Sequence, residues 1–318
     1  MSQLPFENIE RTVLVKKQAS PNFGIEPENR TTKEIINYGI VNIDKPSGPT
    51  SHQVSDYVKR ILKVKKAGHS GTLDPRVTGL LVVAVGRGTR IVQALLPAGK
   101  EYITVMHLHK EVDTERIKQV LNEFMGKIRQ KPPVKSAVRR VERTREIYYL
   151  DVLEIDGQDV LFKIGCQAGT YIRKICHDIG LKIGCGAHMA ELRRTKVASF
   201  DESTKYTLQD LTDAFHYYKE GNNDKFIRKI IQPIENATRH LPKVWIIDST
   251  IKPLTHGRDL AIPGICELES GIEKEELVAI MTLKGELVAL GIANMTSEQI
   301  MKKNKGIAIK TDKVFMQL

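Results

Sequence analysis

The 318-residue chain carries 49 Lys and Arg against 38 Asp and Glu, a formal net charge of +11, and 41% hydrophobic residues. That apolar share supports a packed core, and the positive balance points to an anionic partner, nucleic acid first. No run of about 18 apolar residues exists to span a membrane, and MSQLPFENIERTVLVKKQ lacks the apolar segment of a secretory leader. The four cysteines, Cys166, Cys176, Cys185 and Cys266, show neither CxxC pairs nor disulfide-framework spacing, so a reducing, cytoplasmic location is expected.

In chain order, residues 1–35 carry charges and prolines but little apolar periodicity, which predicts an extended arm docked on another part of the protein. In YGIVNIDKPSGPTSH, residues 39–44 predict a buried strand and 46–49 a turn. Thr50 or Ser51 then caps a helix with Val54, Val58, Ile61 and Leu62 on one face. GLLVVAV predicts a buried strand, TRIVQALLPA a short helix capped by Thr89, and EYITVMHLH an alternating strand. DTERIKQVLNEFMG is an amphipathic helix with Ile117, Val120, Leu121 and Phe124 on one face and Gly126 as its stop. Strands near 147–154 and 160–166 precede a helix capped by Thr170 and stopped by Gly184. Past a boundary at HLPKVW the chain turns β-rich, with a hairpin turning at Lys284 and Gly285, a Thr296/Gln299 capping box, and a last strand in GIAIKTDKVFM. This mixed order predicts an α+β fold: a mixed, largely antiparallel sheet, followed by a small β-barrel-like module.

Few residues are candidates for chemistry. Asp74, between Leu73 and Pro75 in AGHSGTLDPRVTGLLVVAVGRGTR, is available at neutral pH as nucleophile or base, although Asp-Pro is also a common turn dipeptide. Buried, it would need a cation beside it. Arg173, in AGTYIRK, falls in the first turn of a predicted helix, where the macrodipole disfavours cations; a nearby carboxylate or phosphate would offset that cost. Tyr102 and Tyr171 fit half-buried strand and helix aromatics, or rings that stack on an extruded base. His69 is a loop histidine or an RNA contact. CHDIGLKIGCGAHM brings Cys176, His177, Cys185 and His188 close in sequence, but only the last two have zinc-ligand spacing, so no metal site is expected.

In this order, VNIDKPSGPTSH, GTLDP followed by TG, KEY, and AGTYIRKICHDIGLKIGCGAHMAELRRTKV resemble the TruB/dyskerin family of pseudouridine synthases. HGRDLAIPGI, LVAIMTLKGELVALGIANMTSEQ and KGIAIKTDKVFM resemble the PUA domain that accompanies it, ALLPAGKEYITVMHLH is similar to the dyskerin branch, and the absence of long lysine-rich tails resembles its archaeal form. The resemblance covers about residues 38–318. It implies an arm over 1–35 packed on the PUA domain, a catalytic domain over 36–244 and a PUA RNA-binding domain over 245–318. It implies that uridine in RNA is isomerised to pseudouridine: uracil is detached from C1′ at N1, turned, and rejoined through C5. No cofactor is implied.

By motif, Asp74 matches the family's catalytic aspartate, acting either on C1′ or on the 2′ proton. Arg173 matches the arginine that pairs with it. Tyr102 matches a tyrosine that packs on the flipped uracil and assists at C5, with Tyr171 in support. Leu192 matches a leucine of the base pocket, His69 a histidine that helps hold the RNA, and Lys45 and Pro46 a structural motif beneath the catalytic loop. The HLHKEVDTERI region lacks a TDTxDxxG-type insertion of the bacterial enzymes. The resemblance therefore implies that an H/ACA guide RNA selects uridines in rRNA, with action on the tRNA T-loop as well. Zinc-ribbon-like, Gar-type and kink-turn-binding proteins are the implied partners. The alternatives are a stand-alone tRNA enzyme and a non-catalytic RNA-binding scaffold.

Overall fold

A computed structural model describes residues 2–132 and 139–318. Two sheets organise them. The larger follows the spatial order Ile231–Pro233, Gly39–Lys45, Thr78–Val85, Ala187–Val197, Lys100–Leu108, Asp159–Cys166, Arg143–Asp156, Gly126–Gln130, with the short strand Ala67–His69 also paired to Thr78–Val85. Its pairings are antiparallel except where Thr78 and Gly79 meet Arg193 and Arg194. Thr78–Val85 is buried almost throughout, because both of its faces are covered. Leu80, Val82 and Ala84 enter one core, while Leu81, Val83 and Val85 enter another with Val54, Val58, Leu211 and Phe215, the alternation a pleated strand imposes.

The smaller sheet runs Val13–Val15, Ile265–Glu269, Lys243–Ile246, Leu277–Thr282, Leu287–Ala293, Ile307–Val314, Leu260–Ala261. The core that takes Leu80 and Val82 also takes Ala279, Met281, Leu287 and Leu290 from this sheet, so the two sheets share one apolar interior. The N-terminal arm ties them further. Leu4 is fully buried and Lys196 pairs with Glu7, while Val13–Val15 pairs antiparallel with Ile265–Glu269. Arg30 reaches both Glu235 and Glu286.

Several elements depart from expectation for local reasons. The helix following the predicted Thr170 cap is Ile172–Ile183, with Tyr171 at its N-cap; the Thr170 hydroxyl instead donates to the Gln167 carbonyl. Thr89 caps nothing: it lies inside the 3-10 helix Gly86–Ile91, which runs into Val92–Leu95. The helix expected to stop at Gly126 is Thr114–Asn122, capped by Asp113, and Gly126 opens the next strand at φ 79°. Thr50 caps Ser51–Ile61, and the Thr296/Gln299 box is present. Helices Leu208–Glu220, Lys225–Ile230 and Asp248–Thr255 are additional elements. The arm is not simply extended, since Thr31 and Glu34 form a capping box on Thr32–Asn37.

Candidate active site

Asp74 sits in the loop between Ala67–His69 and Thr78–Val85, and its backbone is gripped on both sides. Before it, the Ser51 hydroxyl accepts from the Leu73 amide at 2.8 Å and donates to the Leu73 carbonyl at 3.2 Å. After it, Lys45 Nζ donates to the carbonyls of Pro75 and Val77 at 2.9 and 2.8 Å, and to that of Pro46 at 2.9 Å. The Gly48 amide also donates to Pro75 O, and the Val77 amide to Asp74 O. Lys45 is fully buried, and that burial pushes its ammonium below the ordinary lysine value. Pro46 is exposed and contributes its carbonyl to this clamp.

The loop ends in a close approach. Gly79, at φ 102°, lies where a Cβ would stand 2.2 Å from the Arg194 carbonyl oxygen, so only glycine admits this crossing of strands. The TG that follows the loop in sequence is therefore a steric requirement.

Arg173 lies on the first turn of Ile172–Ile183 and forms an ion pair with the Asp74 carboxylate. The carboxylate and guanidinium side chains are 52% and 57% exposed, so the pair is open to a ligand. The cation that the helix dipole disfavours thus has a partner across the cleft. No side chain of the N-cap residue stabilises this helix start. Instead the buried Gln130 carboxamide clasps the Tyr171 backbone, accepting from its amide at 3.0 Å and donating to its carbonyl at 3.2 Å. Tyr171 itself is half-buried.

Tyr102 projects from Lys100–Leu108, opposite Arg194 on one side and Ile164 on the other. Leu192 faces Thr104 two pairs along, so Tyr102, Thr104, Leu192 and Arg194 share one face of the sheet. Burial raises the phenol of Tyr102 above its ordinary value; Arg194 opposes that shift and the Asp74 charge adds to it. His69 is half-buried at the other end of the loop, its Nδ1 accepting from the Gly71 amide at 3.3 Å and its ring packed edge-on to His52. Burial holds that imidazole below its usual range.

The site therefore joins Asp74 to Arg173, sets Tyr102 and Leu192 on an adjoining sheet face, and places Lys45 and Pro46 beneath the loop. Three contributors were not singled out from the sequence: Ser51, Gln130 and Arg194. Arg194 had a signal available, because it alternates with Leu192 along a strand in a motif already noted. Gln130 had none, since its partner lies 41 residues away.

The cysteine and histidine run does not converge. Cys176 is buried among Ile172, Ile175 and Ile179, its thiol pushed up to about 12 by desolvation. His177 turns to Asp178, the Cys185 thiol donates to Gly186 O, and His188 faces His109. Among the described residues no three His, Cys, Asp or Glu side chains are arranged to hold a metal ion, and no helix is long and apolar enough to cross a membrane.

A solvent-open carboxylate paired with an arginine, beside a half-buried phenol and an apolar wall, suits chemistry at a sugar carbon next to a flat base. Known proteins agree. The TruB family pseudouridylate synthase N-terminal domain model matches residues 59–172, and the tRNA pseudouridylate synthase B C-terminal domain model matches 173–239. A PUA domain model matches 242–315 and the DKCLD (NUC011) domain model matches 2–55. A protein of Thermococcus kodakarensis named "Probable tRNA pseudouridine synthase B" is 56% identical over 97% of this chain and 93% of its own length. A protein of the same name from Methanopyrus kandleri is 50% identical over 99% of this chain and 94% of its own. Among solved structures, a chain of a Cbf5-Nop10-Gar1 complex superposes with a TM-score of 0.94 at 54% identity, covering 99% of this chain and 97% of that one. A chain of an H/ACA RNP bound to a substrate RNA containing 2′-deoxyuridine gives 0.92 at 52% identity, covering 99% and 98%. The chain belongs to the TruB family of pseudouridine synthases, isomerases that act on RNA.

Proposed function

We propose that this protein is the catalytic subunit of a guide-directed pseudouridine synthase, with Asp74 as its reacting carboxylate. The observation that carries the assignment of Asp74 is its ion pair with Arg173 at the tip of a loop clamped by Lys45 and Ser51. Arg173 holds the carboxylate and aims it at the ribose, where it opens the C1′–N1 bond by attack at C1′ or by removal of the 2′ proton. Leu192 and Tyr102 enclose the uracil while it turns. After C5 bonds to C1′, the hydrogen on C5 must leave. The phenol oxygen of Tyr102 takes that proton as it passes its own to a water; the C5–H pair forms C5=C6, the C6=N1 pair moves to N1, and N1 takes the proton from that water. His69 holds the RNA beside the loop, and Tyr171 supports the Arg173 turn.

Likeness over nearly the whole chain to proteins of a Cbf5-Nop10-Gar1 complex and a substrate-bound H/ACA RNP supports H/ACA guide RNA, rRNA and tRNA as its RNAs. Nop10-like, Gar1-like and kink-turn-binding proteins are its partners in this reading, and its location is cytoplasmic. Residues 36–244 form the catalytic domain, 245–318 the PUA domain that holds the guide, and 1–35 the arm. The net charge of +11 suits a surface that grips RNA phosphates.

The test is pseudouridine formation by the purified chain on a tRNA and on an rRNA fragment, with and without a matching guide and partner proteins. Guide-dependent product that Asp74→Asn abolishes, with RNA affinity kept within roughly a few-fold because phosphate contacts dominate binding, is the expected result. Product on tRNA regardless of guide would make it a stand-alone enzyme, and full activity in Asp74→Asn would remove Asp74 from the chemistry.

A further inference from the structure

Arg193 and Arg194 are neighbours on one strand and point to opposite faces with opposite fates. Arg193 is paired with two carboxylates, Asp44 and Glu202. Arg194 is 1% exposed, and its guanidinium donates to the carbonyls of Leu80 at 2.8 Å and Gly71 at 3.2 Å. The ionisable groups that feel its charge are Lys45, His69 and Lys100, all cationic when protonated, and the phenol of Tyr102. Among the described residues it forms no ion pair with a carboxylate. A buried cation surrounded by potential cations is costly, and an apolar side chain of similar volume would serve packing better. Tyr102 faces it directly across the strand pair, and its phenol favours the guanidinium's charge. Gly71, the residue it holds, lies three positions before Asp74.

We propose that Arg194 is the positioning residue for Tyr102: it stabilises negative charge on the phenol oxygen and ties that oxygen to the loop that carries Asp74. One buried guanidinium thereby sets the distance between the group that opens the C1′–N1 bond and the group that takes the C5 proton. This rests on the reading of Tyr102 as the proton acceptor at C5. The groups facing the phenol are Asp74 from the loop, Cys166 from the neighbouring strand and Arg194 itself. Of these only Arg194 favours the phenolate.

The experiment measures single-turnover pseudouridine formation and RNA affinity for the full chain, in the assembly on which it is active. Arg194→Gln keeps donors for the two carbonyls and removes the charge; Arg194→Lys keeps the charge and loses the fork. Arg194→Gln is expected to slow the chemical step roughly 10²-fold, as a displaced reacting group does, with RNA affinity and melting temperature little changed. Arg194→Lys recovers part of that loss. Combined with Tyr102→Phe, Arg194→Gln adds nothing, because the oxygen it serves is gone. A more acidic phenol, 3-fluorotyrosine at position 102, restores rate to Arg194→Lys more than to the unaltered Arg194 protein. Losses that multiply in the double variant, or no rescue by 3-fluorotyrosine, would reduce Arg194 to a loop tie and overturn the proposal. A Tyr102→Phe protein as fast as wild type would instead show that Tyr102 is not the C5 base, and the fault would lie in that earlier reading.

Discussion

Lys45 secures the backbone around Asp74 from below: its ammonium holds the carbonyls of Pro75 and Val77, the residues that follow the carboxylate. The aspartate owes its fixed position to contacts made by its neighbours' backbone, and its own side chain is left for Arg173 and the substrate.

Replacing Lys45 should therefore cost stability and turnover together. Lys45→Met leaves the carbonyls of Pro46, Pro75 and Val77 without this donor, and an expected loss of about 1–3 kcal/mol follows from stranding the buried Val77 acceptor and two partly buried ones. Denaturant melts and single-turnover rates, measured side by side, check it. A variant that turned over normally at reduced stability would show that the loop keeps its shape without the clamp.

Gln130 makes the opposite prediction, a large effect on rate for a small one on stability. Its carboxamide stands in for a missing N-cap on Ile172–Ile183, and such caps contribute about 1 kcal/mol. Gln130→Ala should lower stability by that amount while letting the first turn fray and Arg173 drift from Asp74. Comparison of kcat with the unfolding midpoint separates the two effects.

Arg30 tests the joint between the sheets. Its guanidinium lies buried against Glu235 at 2.8 Å and Glu286 at 3.3 Å, and these two carboxylates are its charge partners. Burial works to lower its pKa, but hydrogen bonds and charge from the two glutamates outweigh it and leave the pKa raised. Arg30→Met strands two buried carboxylates and is expected to cost about 3–5 kcal/mol. Denaturant melts of the two proteins side by side check it.

His240 sets an acid limit. Its ring is half-buried, Nε2 donates to the Ala94 carbonyl at 3.0 Å, and desolvation pushes its pKa down to about 4. Between that value and the ordinary histidine value near 6.5 the unfolded chain binds a proton that the folded chain refuses, so stability falls as pH drops through this window. At pH 5 the imidazole should cost about 2 kcal/mol, reckoned at 1.36 kcal/mol per pH unit. His240→Gln should flatten the stability profile between pH 7 and 5 relative to wild type; parallel profiles would exclude His240 as the source.

Elements with strong period or capping chemistry were legible in the sequence. Within Thr78–Val85 the residues from Leu80 on are an unbroken apolar run, and the Thr296/Gln299 box fixes its helix start by local contacts alone. Thr170 misled because the cap it would supply is made unnecessary by Gln130, a contact from a distant strand. Thr89 misled for a related reason: Gly88, within the same turn, lies where a Cβ would meet the Ile234 side chain at 2.9 Å and Gly39 O at 3.3 Å. Tertiary contact there decides a 3-10 turn that local pattern does not show. In the site, Asp74 and Arg173 could be paired by resemblance and by the dipole argument. Arg194 could have been placed on the face of Leu192 by strand alternation, but nothing in the sequence says that its guanidinium is buried against Leu80 and Gly71.

The arm that bridges the sheets has a consequence for biogenesis. Val13–Val15 pairs with Ile265–Glu269, a strand that leaves the ribosome long after it. Leu4 and Glu7 must likewise wait for Gly99 and Lys196. Contacts between such distant segments form slowly, so the arm travels unpaired through most of translation, with Val13 and Val15 available to any passing strand edge. Nascent chains halted before residue 265 should then be open to proteolysis within the arm, and released full-length chains closed to it.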